Sequence, residues 1–116
     1  MKCTKSSYKG SYAFTATGFI VKPATAPDPF AAVGQYKADG KGNITGSQTR
    51  NFHGAVVTET FTESYTVNPD CTGSSTKKTS NNITTNWNFV VLHEGKTILA
   101  IEADAGNVVT IRAERM

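Results

Sequence analysis

The sequence predicts an all-β protein, folded as an eight-stranded antiparallel up-and-down barrel, and three observations carry that expectation. Apolar or aromatic side chains alternate with polar ones in run after run, as in Tyr65-Thr66-Val67 and Trp87-Asn88-Phe89, the period of a half-buried strand. Corners rich in Gly, Asn, Asp and Pro cut these runs at short intervals, and strong helix formers never cluster. The 116 residues leave room for one domain, 1–116, with a modest core. Eight sequential strands on short turns close most simply first against last, which removes the exposed edges of so Thr-rich a meander. A two-sheet sandwich is the alternative that the same strand count allows.

Strand one is expected from about Gly10 to Val21, with Tyr12, Phe14 and Ala16 on one face. Lys22 to Pro29 (KPATAPDP) is a proline-rich connection outside the regular pattern. Strand two covers Phe30 to Ala38, and DGKGN at Asp39 to Asn43 turns it into strand three, Ile44 to His53. Gly54-Ala55 is expected as a two-residue loop with glycine first, the type II′ pattern, before strand four, Val56 to Val67. Asn68-Pro69-Asp70 stops that strand, because proline donates no ladder hydrogen bond, and Gly73 releases the chain into strand five, Ser74 to Thr79. Ser80 to Asn82 turns into strand six, Ile83 to His93. Glu94-Gly95 and Ala105-Gly106-Asn107 supply the last two hairpins, leaving strands Thr97 to Asp104 and Val108 to Arg115.

Hairpin loops propose register, and register says which side chains share a face. With Gly54-Ala55 as the loop, Phe52 opposes Val57, Arg50 opposes Glu59, Gln48 opposes Phe61 and Ile44 opposes Tyr65. With Glu94-Gly95 as the loop, Trp87 opposes Glu102, Phe89 opposes Ala100 and Val91 opposes Ile98. That face continues onto Val109, Ile111 and Ala113 and, carrying the large aromatics, is the inside. The opposite face of the last strands holds Val90, Leu92, Leu99 and Ile101, too apolar to face water alone. A homo-oligomer meeting through these four residues is the expected cover.

The formal net charge of +3 comes from scattered residues. Lys77-Lys78 is the nearest thing to a basic cluster, which argues against a nucleic-acid partner. No run approaches the length of a transmembrane helix, so no membrane partner is expected. Met1-Lys2-Cys3 stands almost on top of the first strand, leaving no signal segment within the sequence. The chain has two cysteines, Cys3 and Cys71. They either pair, tethering the N-terminal segment to the NPDCTG corner, or remain thiols; alone they cannot complete a zinc site, and no metal or cofactor is expected. In DGKGN, Lys41 stands where a calcium loop needs a ligand and no bidentate Glu follows, so the stretch is a turn. His53 and His93 each lie beside a hairpin turn with no nucleophile paired to them.

The sharper signal is a set of polar residues on the expected inner face. Gln48, Arg50, Glu59, Glu63 and Glu102 fall among Tyr12, Phe14, Tyr36, Phe61, Tyr65, Trp87 and Phe89. A charge inside a barrel costs several kcal/mol unless paired or solvated, so these residues imply either a structural ion pair, Arg50 with Glu59, or a wet cavity at one mouth. An eight-stranded barrel is just wide enough to be filled by side chains or to hold one small ligand.

Four stretches, CTKSSYKGSYAFTATG, AAVGQYKADGKGNITG, YTVNPDCTG and FVVLHEGKTILAIEADAGNVVT, together resemble a family of small exported β proteins from environmental bacteria. The marks of that family are a Cys shortly before a KGSY-like strand start, a DGxGN turn and an NPDCTG corner. The resemblance spans nearly the whole chain and implies secretion or periplasmic export and a Cys3–Cys71 pair, but no activity. At fold level the strand pattern is similar to calycin and allene-oxide-cyclase-like barrels, which bears on architecture and not on function.

Three functions fit. The first is an exported barrel binding a small apolar or amphipathic molecule against Tyr12, Phe14, Tyr36, Gln48, Arg50, Phe61, Tyr65, Trp87 and Phe89. The second is an isomerase- or cyclase-like enzyme with Glu102 or Glu63 as acid/base and a tyrosine as donor. The third is an interaction module without a pocket. An open cavity separates the first two from the third, and a carboxylate of strongly raised pKa inside that cavity would separate enzyme from binder.

Overall fold

The computed structural model describes residues 2–21 and 28–116. Eight strands run as β1 (Lys9–Ile20), β2 (Asp28–Asp39), β3 (Asn43–Phe52), β4 (Ala55–Val67), β5 (Thr72–Thr79), β6 (Thr84–Leu92), β7 (Thr97–Glu102) and β8 (Asn107–Arg115). Each pairs antiparallel with the next, and β8 returns to β1, from Tyr12 against Arg115 to Ile20 against Asn107, closing the barrel. Closure excludes the sandwich, and the strand limits match those read from sequence to within two residues. The only helical pieces among the described residues are two three-residue 3₁₀ turns, Lys5–Ser7 and His93–Gly95. Most of the proline-rich connection expected at Lys22 to Pro29 lies outside the described residues; Asp28 and Pro29 belong to β2.

One expected register is corrected. Phe52 pairs with Ala55, so the β3–β4 loop is His53-Gly54 and not Gly54-Ala55. Both loop residues have positive φ, 52° and 92°, the signature of a type I′ turn, whose twist matches the flanking strands. Asn51 Oδ1 accepts from the Gly54 amide at 2.8 Å and helps hold the turn. The pairing therefore slides by two: Arg50 faces Val57, Gln48 faces Glu59, Gly46 faces Phe61 and Ile44 faces Glu63. A slip of two keeps every side chain on its face, so the inner set survives although the opposing pairs change. The β6–β7 register is as expected, Trp87 on Glu102, Phe89 on Ala100 and Val91 on Ile98.

The two ends of the barrel differ. At the end where β1 starts, the interior is packed solid by aromatics. Tyr8 meets Tyr12 and Phe89 edge-on at 5.3 Å each, Tyr12 stacks on Tyr36 at 5.2 Å, and Phe14 meets Phe61 at 6.0 Å. Ring density of this kind needs missing side chains on facing strands. A Cβ on Gly46 would lie 2.5 Å from the Tyr36 Cβ and 2.8 Å from the Phe61 ring, so glycine there is a condition of the packing. Cys3 and Cys71 are joined with Cα atoms 5.0 Å apart, and the Cys3 amide donates to the Pro69 carbonyl at 3.1 Å, which ties the N-terminal segment across this floor.

All four tyrosines of the chain belong to the floor. The Tyr8 and Tyr36 hydroxyls share a hydrogen bond of 2.6 Å, and the Tyr65 hydroxyl donates to the Tyr8 carbonyl at 2.7 Å. Burial pushes the phenol pKa of Tyr8, Tyr12, Tyr36 and Tyr65 above its ordinary value. The unfolded chain then loses phenolic protons at lower pH than the folded one. Stability is full below the ordinary tyrosine pKa near ~10 and falls as pH rises above it. Alkaline titration is expected to show tyrosinate absorbance appearing together with loss of the β-sheet circular dichroism. A tyrosine titrating freely near pH ~10 while the sheet signal persists would contradict this floor.

The outer face carries the apolar patch read from sequence. Val90, Leu99 and Ile101 are 39 %, 38 % and 50 % exposed, and Leu92 is half-buried at the patch edge.

Candidate functional site: the open mouth of the barrel

At the opposite end, where β1 finishes, the barrel opens into a cavity of about 270 Å³. Its walls are apolar, formed by Ile20, Phe30, Phe52, Ile83, Trp87 and Val109. Its polar groups are Gln48 and Arg50 from β3, Glu59 from β4, Lys77 and Thr79 from β5, and Thr85, Glu102 and Asn107 around the rim. Period-2 alternation explains this mixture, because every second residue of each strand is delivered inward whether or not it is apolar.

The polar groups are connected. Lys77 Nζ donates to Gln48 Oε1 at 2.6 Å, and Gln48 Nε2 donates to Glu59 Oε2 at 2.8 Å. Arg50 Nε donates to the same Glu59 oxygen at 2.6 Å, and Asn81 Nδ2 donates to Glu59 Oε1 at 2.8 Å. The Glu59 side chain is fully buried and that of Arg50 is 16 % exposed. Burial raises the Glu59 carboxyl, but the hydrogen bonds from Arg50, Asn81 and Gln48 outweigh it, and Glu59 titrates below the usual range. The Arg50–Glu59 ion pair expected from sequence thus exists, formed diagonally across β3 and β4 rather than between directly opposed residues.

Across the mouth, Asn107 Nδ2 donates to Glu102 Oε2 at 2.7 Å. Asn107 Oδ1 is buried without a hydrogen-bond partner, alone in this among the described side chains. An acceptor with no protein partner beside a cavity leaves a place for a donor from the contents of that cavity. Trp87 donates its indole N–H to Thr85 Oγ1 at 2.8 Å, which presents the ring to the cavity as an apolar wall.

Beneath the mouth lies a second space of about 30 Å³, lined by Glu63, Ser75, Lys77 and the floor aromatics Tyr8, Phe14 and Tyr36 among others. Such a volume suits one water and not a ligand. Burial raises the Glu63 carboxyl pKa against the pull of Lys77, which stands directly opposite in the β4–β5 pairing.

The expected inner-face residues therefore divide by depth. Gln48, Arg50, Glu59, Trp87 and Glu102 line the mouth. Phe14, Tyr36, Glu63 and Phe89 line the small space below, while Tyr12, Phe61 and Tyr65 pack in the floor core and touch neither. Sequence reasoning missed Lys77, Asn81, Asn107 and the walls Phe30 and Phe52. Lys77 stands out in the sequence only as half of the Lys77-Lys78 basic pair, because β5 (TGSSTKKT) holds no large apolar residue to mark its inner face. A usable signal was present across the NPDCTG corner, where Tyr65, Glu63 and Phe61 pair with Ser75, Lys77 and Thr79.

Elsewhere, Asp39 accepts from the Asn43 side chain at 2.9 Å and from the Lys41 and Asn43 amides at 2.7 and 3.0 Å. These bonds hold its pKa at about 2 and commit its carboxylate to the turn. His53 Nδ1 lies 3.2 Å from Asp28 on the exposed rim, and no group of three metal-ligating side chains occurs among the described residues. No described helix is long and apolar enough to cross a membrane. Comparisons with protein-family models and with curated protein sequences return no match.

Proposed function

We propose that the chain is a binding protein that takes a small, neutral, amphipathic molecule into the mouth cavity. The observation that carries this reading is the cavity itself, about 270 Å³ with apolar walls and a few convergent polar groups. Both signs of charge line the cavity, and Arg50 is already paired with Glu59, which supports a neutral ligand over an ion. The unpaired Asn107 Oδ1 favours a ligand that donates a hydrogen bond, such as an alcohol. An acid/base enzyme is the weaker reading. Of its two expected carboxyls, Glu63 is raised by burial but faces the one-water space, and Glu102 lines the mouth and accepts a hydrogen bond from Asn107.

The chain's single tryptophan, Trp87, stands in the cavity wall and reports occupancy directly. Cuminyl alcohol, roughly eleven non-hydrogen atoms, is expected to change its fluorescence saturably at millimolar or lower concentration. A linear change equal to that of free N-acetyltryptophanamide would defeat the reading.

Two further parts of the proposal concern setting. Export, secreted or periplasmic, is supported by the Cys3–Cys71 disulfide, a bond that persists in oxidising compartments. Association into a homo-oligomer through Val90, Leu92, Leu99 and Ile101 is supported by the exposure of Val90, Leu99 and Ile101 on one side of the barrel, with Leu92 half-buried at their edge. Leu99→Lys is expected to give a smaller species by light scattering, and a wild type that stays monomeric at micromolar concentration would refute the association.

A further inference from the structure

Lys77 is the one buried lysine among the described residues, 5 % exposed, and it lines both the mouth cavity and the one-water space below it. Its amine is held over the Phe61 ring at 4.1 Å and lies 5.2 Å from the Phe14 centroid. Its hydrogen bond goes to the neutral amide of Gln48 and not to a carboxylate. An amine held among aromatics at the base of an apolar cavity has the setting of a carbonyl-capturing nucleophile.

We propose that Lys77 forms an imine with a small apolar aldehyde or ketone that enters through the mouth, an inference that rests on reading the cavity as a ligand site. The Nζ lone pair attacks the carbonyl carbon and a C–N bond forms. The carbonyl C–O bond then breaks, and the oxygen leaves as water with the two hydrogens of the neutral amine. No oxidant or reductant takes part. The one-water space beside Lys77 can receive the released water, and Glu63 borders that space directly across the strand pair.

The neighbouring charges set the protonation of the amine. Burial lowers the Lys77 pKa, while Glu63 and Glu59 from β4 and Glu102 from β7 oppose that shift; burial prevails. Arg50 of β3 is engaged with Glu59. Burial therefore favours the neutral, nucleophilic form of the Lys77 amine.

The test uses the intact, disulfide-bonded protein at pH 7 with cuminaldehyde, trapping the imine with sodium cyanoborohydride and mapping adducts by peptide mass. The expected result is modification of Lys77 in clear preference to every exposed lysine, Lys78 beside it included. Lys77→Met and Lys77→Arg are expected to lose that adduct while keeping the β-sheet circular dichroism of the wild type, which shows that the barrel remains formed. Alcohol binding by the wild type without preferential labelling of Lys77 would overturn the imine and leave the binding reading standing. Neither alcohol binding nor labelling would overturn both. If one variant fails to fold, the other supplies the control.

Discussion

Glu59→Ala is expected to lower stability by about 3–5 kcal/mol, read as a shift of the urea midpoint. The Glu59 carboxylate is fully buried and collects hydrogen bonds from Arg50, Gln48 and Asn81, and Gln48 in turn holds the Lys77 amine. Removing it leaves the partly buried Arg50 guanidinium without its carboxylate and loosens the whole chain of contacts, which is why the cost exceeds the ~0.2–1 kcal/mol of an ordinary cross-strand pair. The pH dependence has a definite sign. Glu59 titrates below its unfolded value, so its contribution is full above the ordinary carboxylate pKa of ~4.3 and fades as pH falls through the lower, folded one. The variant should therefore lose less stability on acidification than the wild type. A midpoint shift under ~1 kcal/mol would mean that the network is solvated and contributes little.

Cys71→Ser is expected to cost about 4 kcal/mol, the chain-entropy estimate for a bridge spanning 68 residues. The effect belongs to the floor. The N-terminal segment would keep only contacts such as the Cys3 amide to the Pro69 carbonyl and the Tyr65 hydroxyl to the Tyr8 carbonyl. The mouth lies at the other end of the strands, so Cys71→Ser should bind cuminyl alcohol unchanged at temperatures where it is folded. Loss of binding in the folded variant would show that floor and mouth are one cooperative unit. In the wild type, an intact mass about two daltons below the reduced form reports the bond, since pairing removes two hydrogens.

Much of this architecture was legible because period-2 alternation and turn chemistry act locally. Tyr12, Phe14, Trp87 and Phe89 mark their faces unaided, and the Glu94-Gly95 corner fixed a register that the structure keeps. The His53-Gly54 turn was not legible, because Gly54-Ala55 satisfies one turn pattern as well as His53-Gly54 satisfies another. The structure selects the second through a histidine at positive φ. The mouth was half legible. Gln48, Arg50 and Glu59 stand out as polar residues on an aromatic face, but Lys77 stands in a strand of Ser, Thr and Lys with no apolar residue to reveal which side faces in. The depth of each residue along the barrel axis follows from strand stagger around a closed sheet, which local pattern does not carry.

The proposed site for a small neutral amphipathic molecule is the open end of the barrel and not the outer apolar face. Amide chemical-shift mapping of isotopically labelled protein titrated with cuminyl alcohol tests it most directly. Saturable shifts are expected to cluster at Phe30, Phe52, Thr85, Trp87, Asn107 and Val109, with the floor around Tyr8 and Tyr65 unmoved. Shifts confined to the outer face at Val90, Leu99 and Ile101, or none that saturate, would contradict it.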